Sequence, residues 1–269
     1  MAPYRTTAYR YPSESGILFI TVVLVLGVIA LTAAATLCLS ALFVLVFVAI
    51  SYFSSQSSHK SLLQRAYKVD AARAPKLDAL VRLCLARLRP GALDVFVVPT
   101  PSLNAYTFGL SDPKVLVLYS ALFNVMDDSE LTFILGHEMG HAALGHTVIN
   151  SLVGGMAGIP APLGAAVLLN AAFLWWNRAC EYSADRAGLL ACGSINKAVS
   201  ALIKLAIPGA HSQTELSQAL RMLDAQDDNV FNLLGESLST HPMIIKRINE
   251  LRKYAATRSY LQLQAWINA

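Results

Sequence analysis

From Gly16 to Phe53 the chain runs 38 residues without a charged side chain, and nearly all of them are Leu, Val, Ile, Ala, Phe or Thr. A bilayer crossing takes about 20 apolar residues in a helix, so the run is either one overlong span or two short ones. Charge arbitrates. Arg5 and Arg10 precede it and Lys60, Arg65, Lys68 and Arg73 follow it, so both flanks are basic. Positively charged flanks stay on the cytoplasmic side, which requires an even number of crossings. The expectation is a transmembrane helical hairpin over 16–53, turning near Thr32 to Thr36. A cytoplasmic tail (1–15) lies before it and one domain (54–269) after it. A signal peptide cleaved near Ala33–Ala35 fits less well, because the apolar run outlasts the usual h-region of about 7–15 residues and continues past that site. A single signal anchor stays open, and would place the domain outside the cytoplasm.

The domain carries His137-Glu-Met-Gly-His141. Two histidines four apart on a helix share one face, so both imidazoles can hold a single zinc ion, with Glu138 placed beside it as a general base toward water. The stretch Ser129 to Ala143 is apolar with helical spacing, and Asp127 with Glu130 forms a capping box at its start. A catalytic zinc takes three protein ligands and keeps a fourth position open, so one ligand is still missing. His146 falls five residues after His141, one short of the metzincin spacing. On a continuing helix it would point about 140° away from His141. It is therefore expected to be a histidine at the helix end, near the C-terminal dipole, and not a ligand. Glu181 is the better third ligand. Asp185, one turn further on, would orient a ligating histidine through its free ring N–H.

The segments His137-Glu-Met-Gly-His141, Glu181-Tyr-Ser-Ala-Asp-Arg-Ala-Gly188 and Ser239-Thr-His-Pro242 together resemble the HtpX-like membrane zinc metallopeptidases, the gluzincin family that also contains the CAAX prenyl endopeptidases. The likeness runs from about Asn104 to Ile248. It implies a zincin-like α+β domain, one Zn2+ per chain on His137, His141 and Glu181, Glu138 as base and Asp185 as support. It further implies that His241 stabilises an oxyanion, and that Asn104, Ala105 and Tyr106 belong to a strand whose backbone pairs with an extended peptide substrate. The implied activity is cleavage of misfolded or membrane proteins in quality control, because the CAAX enzymes of the family have more spans than this chain. Two other classes stay open: an inactive membrane binding or assembly protein on the same fold, and a metal-dependent hydrolase of a non-peptide substrate.

A second uncharged stretch, Val148 to Trp176, is broken by Pro160 and Pro162 and by four glycines. It is expected as an apolar hairpin that packs on the domain or dips into the bilayer, with Trp175 and Trp176 near an interface. Before the metal motif, Leu77, Leu80, Val81, Cys84, Leu85 and Leu88 mark a helix ending near Arg89-Pro-Gly91. Leu93–Val98 and Lys114–Tyr119 are β-rich runs, expected in a small antiparallel sheet with the Asn104 strand. After Asp127 the pattern is helical, including an amphipathic C-terminal helix from about Pro242, so the class is α+β, mostly helical. The net charge of +4 is modest, and the basic residues beside the apolar run suit an anionic leaflet better than nucleic acid. Four cysteines without C-x-x-C spacing suggest reduced thiols and a cytoplasmic domain. The expected partners are the lipid bilayer and a peptide or unfolded protein.

Overall fold

The computed structural model describes residues 5–35, 39–153, 164–206 and 244–268. The apolar run forms α1 (Glu14–Ala35) and α2 (Leu39–Leu63), with 36–38 outside the described residues. Within α1, the stretch Glu14–Leu31 is only 17% buried, and among the described residues it is the one segment long and apolar enough to cross a membrane by length and composition. Its exposed side chains include Phe19, Val23, Leu26 and Leu31, a surface suited to lipid rather than water. The residues before α1, expected as a tail, are docked on the domain. Tyr9 is fully buried, and the Tyr11 amide donates to Ser183 Oγ at 2.8 Å.

The domain opens with β1 (Tyr67–Lys68), α3 (Pro75–Leu88) and β2 (Leu93–Val98). Pro75 starts α3, where its missing N–H costs nothing, and Arg89 ends it in the left-handed conformation. Then come β3 (Ala105–Phe108) and β4 (Lys114–Tyr119), in the spatial order β1-β2-β4-β3. The sheet is mixed, not purely antiparallel as expected. β3 and β4 pair antiparallel around the Gly109–Pro113 turn, but β4 inserts between β3 and β2, and so runs parallel to β2. The sequence marks β2, β3 and β4 but not β1, and nothing local in it says that the chain after β2 crosses to the outer edge before returning.

A short turn of helix, α4 (Leu122–Val125), leads into α5 (Asp128–Leu144), the axis of the domain. Its capping box is present: Asp127 accepts from the Ser129 and Glu130 amides at 3.0 Å, and Glu130 Oε2 accepts from the Asp127 amide at 2.9 Å. Every residue from Glu130 to Ala142 is buried, between the sheet, α3, α7 (Gly164–Cys192) and α8 (Ile195–Ala206). The buried Glu130 carboxylate is neutralised by Lys204, 2.7 Å away on α8, and accepts from Ser200, as a buried charge requires. Gly145 closes α5 at φ 80°, and α6 (His146–Val153) sets off in a new direction. Residues 154–163, with Pro160 and Pro162, lie outside the described residues. The turn of the expected 148–176 hairpin thus lies outside the described residues, and from Gly164 the second half of the apolar stretch continues without a break into α7, the helix that carries Glu181 and Asp185. Trp176 is 1% exposed and Trp175 45%, because this part of α7 packs along α1, where Thr21 Oγ1 donates to the Ala172 carbonyl. The C-terminal region is two helices rather than one, α9 (Ile244–Ala255) and α10 (Arg258–Asn268). Thr257 separates them, its hydroxyl accepting from the Tyr260 amide.

Candidate active site

The site is built where α5 and α7 approach unusually closely. A Cβ on Gly136 would fall 2.4 Å from Ala191 Cβ, one on Gly140 2.6 Å from Ala187 Cβ, and one on Gly188 2.8 Å from the Phe133 ring. Real Cβ contacts do not come that near, so these positions accept only glycine. The contact brings the inward face of α7 directly against the two histidines of α5.

There His137, His141 and Glu181 offer ligand atoms within 4.8 Å of one another. His141 Nε2 lies 3.2 Å from His137 Nε2 and 3.4 Å from Glu181 Oε1, while His137 Nε2 is 3.5 Å from Glu181 Oε2. Metal–ligand bonds near 2.0–2.1 Å in a tetrahedron imply ligand–ligand edges of about 3.3–3.4 Å. The separations are close to that figure, the two to Glu181 being made by different carboxylate oxygens, so the donor set has the proximity and chemistry to hold a dication such as zinc. Glu181 is one-third exposed, at 34%, leaving the fourth corner open to the cleft.

Behind His137, His141 and Glu181 are charges and rings. His137 Nδ1 is 3.0 Å from Asp185 Oδ1, the arrangement expected from their spacing. Asp185 also takes a two-pronged contact from Arg247 on α9, Nε to Oδ2 at 2.8 Å and Nη2 to Oδ1 at 2.6 Å, and Arg247 Nη1 reaches Glu181 Oε2 at 2.9 Å. Burial works against the charge on Asp185 and Glu181, but Arg247 and the histidines outweigh it and hold both carboxyls below their ordinary range. For His141 burial again opposes the charge, and Glu181 and Glu138 overcome it, raising its pKa. His146, expected at the helix end with its ring aimed away from His141, does not point away. Because α5 stops at Gly145, its ring turns back and places Nδ1 2.9 Å from His141 Nδ1.

Glu138 faces the cleft, its Oε2 accepting from Thr107 Oγ1 on β3 at 3.0 Å. The cleft holds about 660 Å³ and is lined by Asn104, Ala105, Tyr106 and Thr107 on one side and by His137, Glu138, His141, Glu181 and Arg247 on the other. Among the described residues β3 pairs only with β4, so its outer edge carries free backbone groups. Burial and Tyr119 push the Tyr106 phenol up to about 12, keeping it neutral. His241 lies outside the described residues. Sequence reasoning missed Arg247 and Thr107. The signal for Arg247 was there: with buried Ile244, Ile248 and Leu251 on its helix, it is a cation set on the apolar stripe. Thr107 gave none, since a threonine in a strand is ordinary. Cys180, next to the ligand, is a buried free thiol, as is Cys84, and Cys192 is a free, partly buried one.

Comparison with known proteins bears on the same residues. The model of peptidase family M48 matches residues 71–255. The chain is similar to the plastoglobule-localized metallopeptidase 48 of Arabidopsis thaliana chloroplasts, 30% identical over 188 residues that cover 64% of this chain and 54% of that protein. It is also similar to the protease HtpX homolog of Moorella thermoacetica, 27% identical over 253 residues, 78% of this chain and 83% of the relative. A CAAX prenyl protease 1 homolog of Dictyostelium discoideum is 43% identical over 51 residues, 19% of this chain and 12% of its own length. The chain thus spans about half of the plant relative and most of the bacterial one. The matched span contains the two histidines, the glutamate between them, Glu181, Asp185 and Arg247, and the chain belongs to peptidase family M48.

Proposed function

We propose that this chain is a membrane-anchored zinc endopeptidase that hydrolyses peptide bonds of misfolded or membrane proteins. The observation that carries this reading is the convergence of His137 Nε2, His141 Nε2 and the Glu181 carboxylate, with contacts of 3.2 to 3.5 Å, in an open cleft with Glu138 beside them. Zinc held there supplies a Lewis acid that polarises the scissile carbonyl and acidifies water. Glu138 takes the proton from water and passes it to the leaving amine, with Thr107 fixing one of its oxygens. Asp185 orients the His137 ring, and Arg247 balances the carboxylates of Asp185 and Glu181. An extended peptide adds to the outer edge of β3 at Asn104 to Tyr106 through backbone hydrogen bonds. His241 donates to the oxyanion as it forms.

The anchor is a hairpin of α1 and α2 that crosses the bilayer twice and leaves the cleft facing the cytoplasm. Support comes from the basic residues on both flanks and the lipid-compatible surface of α1. The catalytic assignment is tested with Glu138→Gln, which keeps its zinc and loses cleavage of an unfolded protein substrate; undiminished proteolysis rejects the scheme. His241→Ala lowers kcat without lowering zinc affinity. Topology is tested with a single cysteine at exposed Ser129 in intact cells, where labelling by an impermeant reagent rejects the cytoplasmic orientation.

A further inference from the structure

Glu14 and His146 are each 2% exposed and have no part in the chemistry above. Glu14 is the first residue of α1, where a buried carboxylate next to a lipid-facing run is expensive and is retained for a use. Its Oε1 lies 3.2 Å from His146 Nε2. His146 Nδ1 lies 2.9 Å from His141 Nδ1. The other nitrogen of His141, Nε2, faces His137 and Glu181.

We propose that Glu14, through His146, positions the ligand His141, so that the segment leading into the membrane anchor is a working part of the metal site. The inference rests on the reading of His137, His141 and Glu181 as metal ligands. If Nε2 of His141 ligates, its single proton sits on Nδ1, which donates to a lone pair on His146 Nδ1. His146 is then the Nε2–H tautomer, and that N–H faces Glu14. The chain of contacts has one consistent proton arrangement, and it selects the tautomer of His141 that can bind metal. The two ligating histidines are thus supported unequally, His137 by a carboxylate directly and His141 by a carboxylate acting through a second imidazole. Glu14 is held for the task. Ser183 donates to its Oε2, and Arg10 approaches Oε1 at 3.4 Å while also donating to the Leu144 carbonyl at the end of α5. The Sγ of Cys180 completes a Glu14–His146–Cys180 cluster that could itself hold a metal. The Arg10 guanidinium beside Glu14 opposes a second dication there, so the positioning role is the one the surroundings favour.

The test uses the full-length protein in detergent, with zinc affinity measured by chelator competition and the visible absorption of the cobalt-substituted protein as a second readout. His146→Leu, which removes the acceptor, loses about 10–100-fold in zinc affinity and shifts the cobalt bands. Glu14→Gln loses a smaller part, several-fold. His146→Asn, whose Oδ1 can stand in for Nδ1 as the acceptor, recovers most of the affinity and the wild-type bands, and serves where the leucine variant does not fold. Arg89→Ala removes a guanidinium stacked over the Trp266 ring, touches none of the relay groups or the residues that hold them, and keeps wild-type affinity. Unchanged affinity and spectrum in both His146→Leu and Glu14→Gln overturns the proposal, as does an equal loss in Arg89→Ala or the finding of two zinc ions per wild-type chain. Failure of the underlying reading is separate: there the wild type binds no zinc, or Glu181→Gln binds it unchanged.

Discussion

Gly140→Ala is the most economical probe of how this site is made. The substitution adds one methyl group to the residue before His141, and its Cβ would sit 2.6 Å from Ala187 Cβ and 3.2 Å from Ala184 Cα. Carbon atoms pack at about 3.5–4.0 Å, so α5 and α7 must separate by roughly 1 Å. Alanine favours a helix over glycine by about 1 kcal/mol, while overpacking a core costs about 1–3 kcal/mol, which leaves a net loss of about 0–2 kcal/mol in domain stability. The effect on the metal is larger in proportion. His137 and His141 ride on α5 and Glu181 on α7, and metal sites tolerate only about 0.2 Å in ligand distances. Zinc affinity therefore falls by at least about tenfold, or about 1.4 kcal/mol. Removing the opposing methyl with Ala187→Gly leaves Ala184 Cα as the nearest neighbour, only a few tenths of an ångström too close, so the double variant regains most of the affinity. Chelator competition and thermal melts of the purified full-length protein read both effects. Wild-type affinity in Gly140→Ala, or no recovery in the pair, would refute the reasoning.

Other expectations follow from single contacts. Thr107→Val removes the hydroxyl that holds Glu138, a bond worth about 1 kcal/mol, so kcat drops about fivefold with zinc affinity unchanged; an unaltered kcat disproves the link. Arg247→Leu leaves the Asp185 carboxylate, 1% exposed, without its cation and facing the His137 ring, and costs about 3–5 kcal/mol. Pairing it with Asp185→Asn recovers much of that loss, and thermal melts decide. Asp127→Ala removes the cap of α5, at a cost of about 1 kcal/mol near neutral pH. Burial opposes the Asp127 charge, but Lys197 and the amides of Glu130 and Ser129 outweigh it and lower its pKa. A lowered folded pKa means that the stabilisation is full above the unfolded value near 4 and fades as pH falls through the folded one. Stability measured from pH 7 to pH 3 should show the gap between wild type and variant constant down to about pH 5 and shrinking below; a gap that grows in acid contradicts the assignment.

What the sequence determined by itself was local. Spacing four apart placed His137 and His141 on one helix face, the Asp127–Glu130 box located the start of that helix, Asp185 was found one turn beyond Glu181, and β-rich runs marked Leu93–Val98 and Lys114–Tyr119. These signals lie within a helical turn or a strand, where backbone geometry converts spacing directly into direction. Tertiary structure decided the rest. The parallel pairing of β2 with β4 and the arrival of Arg247, Thr107 and Glu14 at the site join residues from about 20 to more than a hundred positions apart. His146 shows the difference most directly. Its offset from His141 on a continuing helix predicts a ring aimed away, but one glycine in the left-handed conformation ends that helix and turns the ring back onto the ligand. Periodicity fixes a direction only while the helix lasts; where it ends, packing against the anchor segment and α7 chooses the direction.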